Sequence, residues 1–205
     1  MEARECNFWF IVDENELKIP FAQRAYVWKQ EHWERFFDDL KDSFESQKGH
    51  FLGSVVIKRQ GNYSMIIDGQ QRLTAFSILL KALCDELEAD ESDHFKILLF
   101  KRYTKNNEPK ITHLEFDRKK YAKVLQDRSF VNTKDKDGVF GCFNYFKTRI
   151  RDFDKSDIFE FVKYIADSKL WVVVHLGDSK DKQRIFDSVN SAGEKLTQQP
   201  KQKIS

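Results

Sequence analysis

The chain has 205 residues, 40% of them hydrophobic and 19 of them phenylalanine, which is enough apolar material for one sizeable core and too much for a disordered chain. Charged residues make up 33%, but the two signs nearly cancel to a formal net charge of +2. That balance excludes a generic polyanion binder, so any nucleic-acid contact has to come from a local patch.

Cys6, Cys84 and Cys142 are odd in number, far apart and in no C-x-x-C pair, which fits reduced thiols and not a disulfide framework or a zinc site. No apolar run approaches the ~18 residues of a membrane span. The N-terminus also lacks the basic-then-apolar order of a secretory signal. A soluble, cytoplasmic protein with no membrane partner is expected.

In chain order, residues 8–12 and Leu17-Lys18-Ile19 are short apolar runs, and Pro20 holds Ile19 extended. Residues 19–28, Ile-Pro-Phe-Ala-Gln-Arg-Ala-Tyr-Val-Trp, read as an aromatic loop or strand. Trp33, Phe36, Phe37, Leu40 and Phe44 then recur at helical spacing, and Gly49 supplies a stop. Residues 51–57 and 63–67 read as two strands joined by a Gln60-Gly61-Asn62 turn. A helix from about Gln70 to about Leu87 follows, its apolar stripe set by Leu73, Phe76, Leu79, Leu80, Leu83 and Leu87 and expected to pack on the sheet.

Residues 88–93 read as an acidic loop and 95–100 as a further strand. Residues 111–116 can form a short strand and 117–126 a helix, and residues 132–138 are the most loop-like of the chain. Phe140, Phe143, Phe146 and Ile150 mark another amphipathic helix. Ser156 or Asp157 can cap the next one, built on Ile158, Phe161, Val162 and Ile165. Residues 170–176 read as a buried strand in which His175 is a core residue, and 182–190 as a last helix with Gly193 beyond it. The fold class expected is α/β (α+β): a small mixed sheet flanked by helices, with a largely helical C-terminal half. The divisions are a core over 1–100, a connecting region over 101–138, a helical portion over 139–197 and a tail over 198–205.

The chemistry concentrates at Ser64-Met65-Ile66-Ile67-Asp68-Gly69-Gln70-Gln71-Arg72-Leu73-Thr74, where a strand runs through a tight turn into a helix. The N–H groups of the first helical turn lack intrahelical partners and carry partial positive charge, which suits a phosphate or carboxylate. Gly69 lets a ligand approach the backbone, and Arg72 can grip a phosphate with two nitrogens. Asp68 can hold Mg²⁺ with waters and phosphate oxygens or orient a water, and Gln70 and Gln71 can donate to phosphate or position a nucleophile. The plainer alternative is that Asp68 caps the helix and Arg72 is a surface or ion-pair residue. There is no P-loop, no G-x-G-x-x-G, no H-E-x-x-H and no G-x-S-x-G, so nothing in the sequence supports DNA cleavage by this chain alone.

Three ordered blocks resemble the N-terminal domain of GmrSD-type restriction endonucleases. Ile19-Pro20, Gln23-Arg24, Tyr26 and Trp28 match an IP-x-x-QR-x-Y-x-W signature. Phe51-Leu52-Gly53-Ser54 and then Ile66 to Thr74, containing the Asp-Gly-Gln-Gln-Arg run, follow in the family's order. Residues 186–197, with Asn190, Gly193 and Thr197, resemble its third block.

The resemblance implies a ParB/sulfiredoxin-like core whose Gly69-Gln70-Gln71-Arg72 element contacts nucleotide phosphates. It carries Asp68, Gly69, Gln70, Gln71, Arg72 and Thr74 into a nucleotide site, with Asp68 as the metal ligand and Asp68, Gln71 and Arg72 as the catalytic candidates. Gln23 and Arg24 become site-lining partners, Tyr26 and Trp28 pack or stack on the base, and Asn190 lies near the site. The implied cofactors are a nucleoside triphosphate, GTP or ATP, and Mg²⁺.

The implied function is an NTP-binding, and GTP- or ATP-hydrolysing, regulatory domain of a modification-dependent restriction or anti-phage protein, gating a nuclease domain or partner. The alternatives are a DNA-binding or adaptor domain without turnover, using Lys58, Arg59, Lys119 and Lys120, or an inactive remnant. Two departures from the family pattern stand out: Ala22 replaces a frequent aromatic residue, and residues 198–205 replace an acidic continuation without a nuclease module.

Overall fold

The computed structural model describes residues 2–127 and 134–177. The third block of the resemblance, with Asn190 and Gly193, the expected helix at 182–190 and the tail all lie outside the described residues.

The fold grows from a hairpin and the helix it feeds. Val55, Val56 and Ile57 on β3 (Gly53–Gln60) and Ile66 on β4 (Tyr63–Asp68) are β-branched and buried, and Gly61, with φ of 58°, turns the chain between the two strands. They pair antiparallel from Gln60↔Tyr63 to Ile57↔Ile66, and an irregularity between Val56 and Ile57 brings Asp68 opposite Val56. Among the described residues, four further strands join them in one mixed sheet. β1 (Glu2–Cys6) pairs antiparallel with β6 (Trp171–Leu176), β6 pairs parallel with β3, and β2 (Leu17–Lys18) lies parallel between β4 and β5 (Ile111–Thr112). The order is β1-β6-β3-β4-β2-β5. The mixed α/β class expected from the sequence is the class observed.

Among the described residues, six α-helices accompany the sheet. α2 (Gln70–Cys84) is the axis of the molecule, with 13 of its 15 residues buried. A helix apolar on all sides has to be enclosed on all sides. α2 does more than lay a stripe on the sheet: it packs against α3 (Ala89–Leu99), α4 (Glu115–Gln126), α5 (Gly138–Arg149) and α6 (Lys155–Asp167). On the sheet side Phe76 meets Trp171 at 5.3 Å between ring centroids and Phe8 at 4.2 Å. Even Lys81 is buried, its ammonium held 2.6 Å from the Asp85 carboxylate. α1 (Gln30–Ser46) closes another side through Trp33, Phe36, Phe37 and Leu40, as its periodicity foretells.

Several local expectations change. The stretch 95–99 is helical, with Phe100 extended beyond it: Phe95, Leu98 and Leu99 are buried along α3, whose first turn is closed by a Glu88/Glu91 capping box in the acidic segment read as a loop. α1 ends at Gln47, in the left-handed conformation with φ of 53°, ahead of Gly49. α2 stops at Cys84 and not Leu87, the 111–116 strand shrinks to two residues, and α6 is preceded by Asp154 and not by Ser156 or Asp157. Residues 8–12 form a 3-10 helix, and β1 is a polar edge strand that no apolar pattern announced. His175 lies on β6 but is only half-buried.

Candidate functional site

The site is assembled where β4 hands over to α2. Gly69, with φ of 90°, makes the turn. A Cβ there would sit 2.8 Å from the Ser54 carbonyl and 3.2 Å from Val55 Cα, so close packing on β3 by itself demands a glycine. The helix begins with no side-chain cap: Asp68 stands exposed beside the turn, and the Leu73 N–H is the first to reach back, to the Gly69 carbonyl at 3.0 Å. An uncapped N-terminus of this kind leaves oriented donors and partial positive charge at the turn.

The segment 19–28, the arm, turns at residues 20–23 and then crosses in front of this junction, fastened by the carboxamides of Gln23, Gln70 and Gln71. Gln23 Nε2 donates to the Ile67 carbonyl at 2.7 Å, and Gln70 Nε2 donates to the Arg24 carbonyl at 3.1 Å. Gln71 uses both ends: Nε2 donates to the Ala25 carbonyl at 3.0 Å, and Oε1 accepts the Val27 N–H at 3.0 Å. It therefore pairs with the segment much as a neighbouring strand would. This engages the group expected to position a nucleophile and makes Gln71 a positioning residue for the arm.

Between arm and helix lies an open hollow of about 170 Å³ lined by Gln23, Arg24, Trp28, Asp68, Gly69, Gln70, Gln71 and Arg72. All eight belong to the two blocks, 19–28 and 66–74, that the resemblance carries into the site, with Trp28 adding a ring. Arg72 lies in the space vacated by the missing Cβ of Gly53, where a Cβ would come 2.0 Å from its Nη1. That nitrogen donates to the Ser54 carbonyl at 3.0 Å. Burial draws the Arg72 pKa down, and the nearby Asp68 charge opposes the shift, so the guanidinium stays charged. Arg24 is exposed, and its side chain has no hydrogen bond or ion pair among the described residues. Two guanidinium groups and a helix N-terminus against one carboxylate favour an anion. Gln70 Oε1 is buried with no hydrogen-bond partner among the described residues.

Not every expected residue faces this space. Tyr26 is 7% exposed, and its hydroxyl accepts the Trp33 Nε1 hydrogen at 2.9 Å and donates to Cys142 Sγ at 3.3 Å. Burial pushes both the Tyr26 hydroxyl and the Cys142 thiol well up, so both stay protonated. Tyr26 is thus a packing residue and presents no face to a base. Trp28 is half-buried, stacked on His32 at 5.7 Å and edge-on to Phe36. Thr74 is buried, donating to the Gln70 carbonyl at 2.8 Å with His113 Nε2 at 3.4 Å, so it holds the first turn from within. Asn190 lies outside the described residues.

The sequence also left three supporting residues unnoticed. Asp117, 3% exposed, accepts the Tyr26 N–H at 2.7 Å and so ties the arm to α4. His113 stacks on Tyr121 at 4.1 Å, and Tyr121 shares a 2.7 Å hydrogen bond with Ser77. No spacing signalled the hydrogen bonds among them, because those to Tyr26 and Ser77 join residues 91 and 44 positions apart.

The model of the GmrSD restriction endonuclease N-terminal domain matches residues 9–203. The chain belongs to that family. The membership makes this GmrSD N-terminal domain a component of the restriction or defence type of protein. The domain's two fastened blocks, 19–28 and 66–74, lie wholly inside the match. No curated protein matches the chain. For a metal, the described residues contain no group of three or more His, Cys, Asp or Glu side chains placed to hold one. A cation at this site would rest on Asp68, with the remaining ligands supplied by water and phosphate oxygens, a habit that suits Mg²⁺. No helix among the described residues is long and apolar enough to cross a membrane.

Proposed function

We propose that this GmrSD N-terminal domain binds a nucleoside triphosphate, GTP or ATP with Mg²⁺, and acts as the regulatory part of a modification-dependent restriction or anti-phage protein. The observation that carries the reading is the uncapped α2 N-terminus opening into a hollow flanked by Arg24 and Arg72. Oriented N–H groups and two guanidinium groups match the negative oxygens of a phosphate chain. Asp68 is the residue placed to hold Mg²⁺ or to orient a water for hydrolysis, with Arg24 and Arg72 neutralising charge as the terminal phosphate leaves. The ParB-like resemblance of the Gly69-Gln70-Gln71-Arg72 element points the same way.

Regulation follows from the arm. The backbone of Arg24, Ala25 and Val27 is bonded to the Gln70 and Gln71 side chains that open α2, so a ligand seated on that turn bears on the arm and on whatever nuclease domain or partner the arm faces. The basic residues considered for DNA lie on separate elements, Lys58 and Arg59 on β3 and Lys119 and Lys120 on α4, with Arg59 turned toward Glu14 and Lys120 over the Phe116 ring.

The test is an equilibrium titration with GTP, ATP, CTP and UTP, with and without Mg²⁺, alongside a phosphate-release assay. Wild type should bind at least one triphosphate. Arg72→Ala should weaken it by about tenfold or more, the range for loss of a charge-assisted contact. Binding unchanged in both Arg24→Ala and Arg72→Ala would remove the site from consideration.

A further inference from the structure

Resting on the nucleotide reading, we infer that Phe21 is the stacking platform for the base of the bound nucleotide. The two aromatics that the resemblance offered for that task are committed elsewhere: Tyr26 is inside the core, and Trp28 is stacked on His32. Phe21 is 95% exposed and makes no ring contact with a described residue. Three other aromatics are exposed among the described residues, and Phe51, at 39%, is much less so than Phe21. Phe116, 73% exposed, carries the Lys120 ammonium 5.1 Å from its ring centre, and Tyr103 lies on the connection between α3 and β5.

The position of Phe21 is fixed by the residues around it. Pro20 restricts the backbone, and the Gln23 N–H closes a turn onto the Pro20 carbonyl at 2.9 Å, leaving Phe21 and Ala22 at the corner. One end of that turn is held by the Ile19 N–H on the Thr112 carbonyl at 3.1 Å, and the other by the Gln23 carboxamide on Ile67. Phe21 stands two residues from Gln23 and three from Arg24, both of which line the hollow. Its Cα is therefore within about 7 Å and 11 Å of theirs by chain geometry. A triphosphate seated between the two arginines extends its nucleoside outward, and the ring carried on this held corner of the backbone is free to turn a face to it. At the corner itself the exposed apolar surface is the one ring with the small Ala22 beside it, Val27 being exposed further along the segment, and one ring is the size of a base and smaller than a protein-docking patch. Stacking on a phenylalanine tolerates any base, so it adds affinity for the nucleoside without choosing GTP over ATP.

The experiment compares two probes, inorganic tripolyphosphate and the best-bound nucleoside triphosphate, each with Mg²⁺, against wild type, Phe21→Ala and Phe21→Trp. Because the side chain is almost wholly exposed, neither substitution removes packing. Phe21→Ala should bind the nucleotide about tenfold more weakly and tripolyphosphate unchanged. Phe21→Trp should restore nucleotide binding, with indole emission that responds to the nucleotide and not to tripolyphosphate. Undiminished nucleotide binding by Phe21→Ala, or equal losses for both probes, overturns the stacking role while leaving the phosphate site standing. Wild type that binds neither probe overturns the nucleotide reading, and the role of Phe21 with it.

Discussion

His113 shows how single residues support the hollow from behind. It is buried against Tyr121 and Thr74, and burial draws its pKa down from 6.5 to about 3, so it is neutral in the folded chain. The unfolded chain binds a proton near pH 6.5 that the folded chain refuses until about 3. The stability held in neutral His113 is therefore complete above about pH 6.5 and is lost as the pH falls toward 3, at about 1.4 kcal/mol per pH unit. Denaturant unfolding at a series of pH values should show wild type losing this increment between pH 6.5 and 5 while His113→Gln does not. Parallel curves for the two proteins would contradict the assignment. Gly53 makes a related point at the same scale. Its absent Cβ is what lets the Arg72 guanidinium lie against β3 and face the hollow, a dependence between residues 19 positions apart.

At the scale of elements, the arm and α2 form one unit through Gln70 and Gln71. Gln71→Ala removes two hydrogen bonds to the arm backbone and should cost about 1–3 kcal/mol, with the Val27 amide exchanging faster while amides in the middle of α2 keep their protection. Unchanged exchange at Val27 would show that the arm is held by other means. Phe76 tests the axis itself. It is fully buried between Phe8, Phe36 and Trp171, and Phe76→Ala should destabilise the fold by about 3–5 kcal/mol. A loss below about 1 kcal/mol, measured by denaturant unfolding, would contradict the central place given to α2.

These elements also show what a sequence conveys and what it withholds. α1, the β3–β4 hairpin and α2 were legible because long periodic runs and a Gly-Asn turn leave one sensible reading. α3 was not, because a short run such as 95–100 suits a buried strand as well as a helix. The Glu88/Glu91 capping box was the signal that decides between them. The polar strand β1 and the two-residue strands β2 and β5 exist only through their partners, which no local pattern names. At the site, the residue types were legible and their duties were not. Gln71 and Tyr26 carry the expected chemistry, but their contacts, 44 and 91 residues away in sequence, assign them to holding the arm.

In the whole molecule, one continuous core runs from Phe8 to Val173 and sets β4, α2 and the arm in a fixed relation, so the hollow is preformed. Preformed polar sites stabilise the fold when filled, and that linkage makes the central claim measurable without any assay of activity. At a free GTP or ATP concentration of 100 times Kd with Mg²⁺, the unfolding free energy of the wild-type chain should rise by about 2.7 kcal/mol. The same addition to the Arg24→Ala/Arg72→Ala double variant at the same concentration should raise it by a small fraction of that. Equal stabilisation of the two proteins would place the nucleotide elsewhere, and no stabilisation of the wild type by any triphosphate would contradict the account.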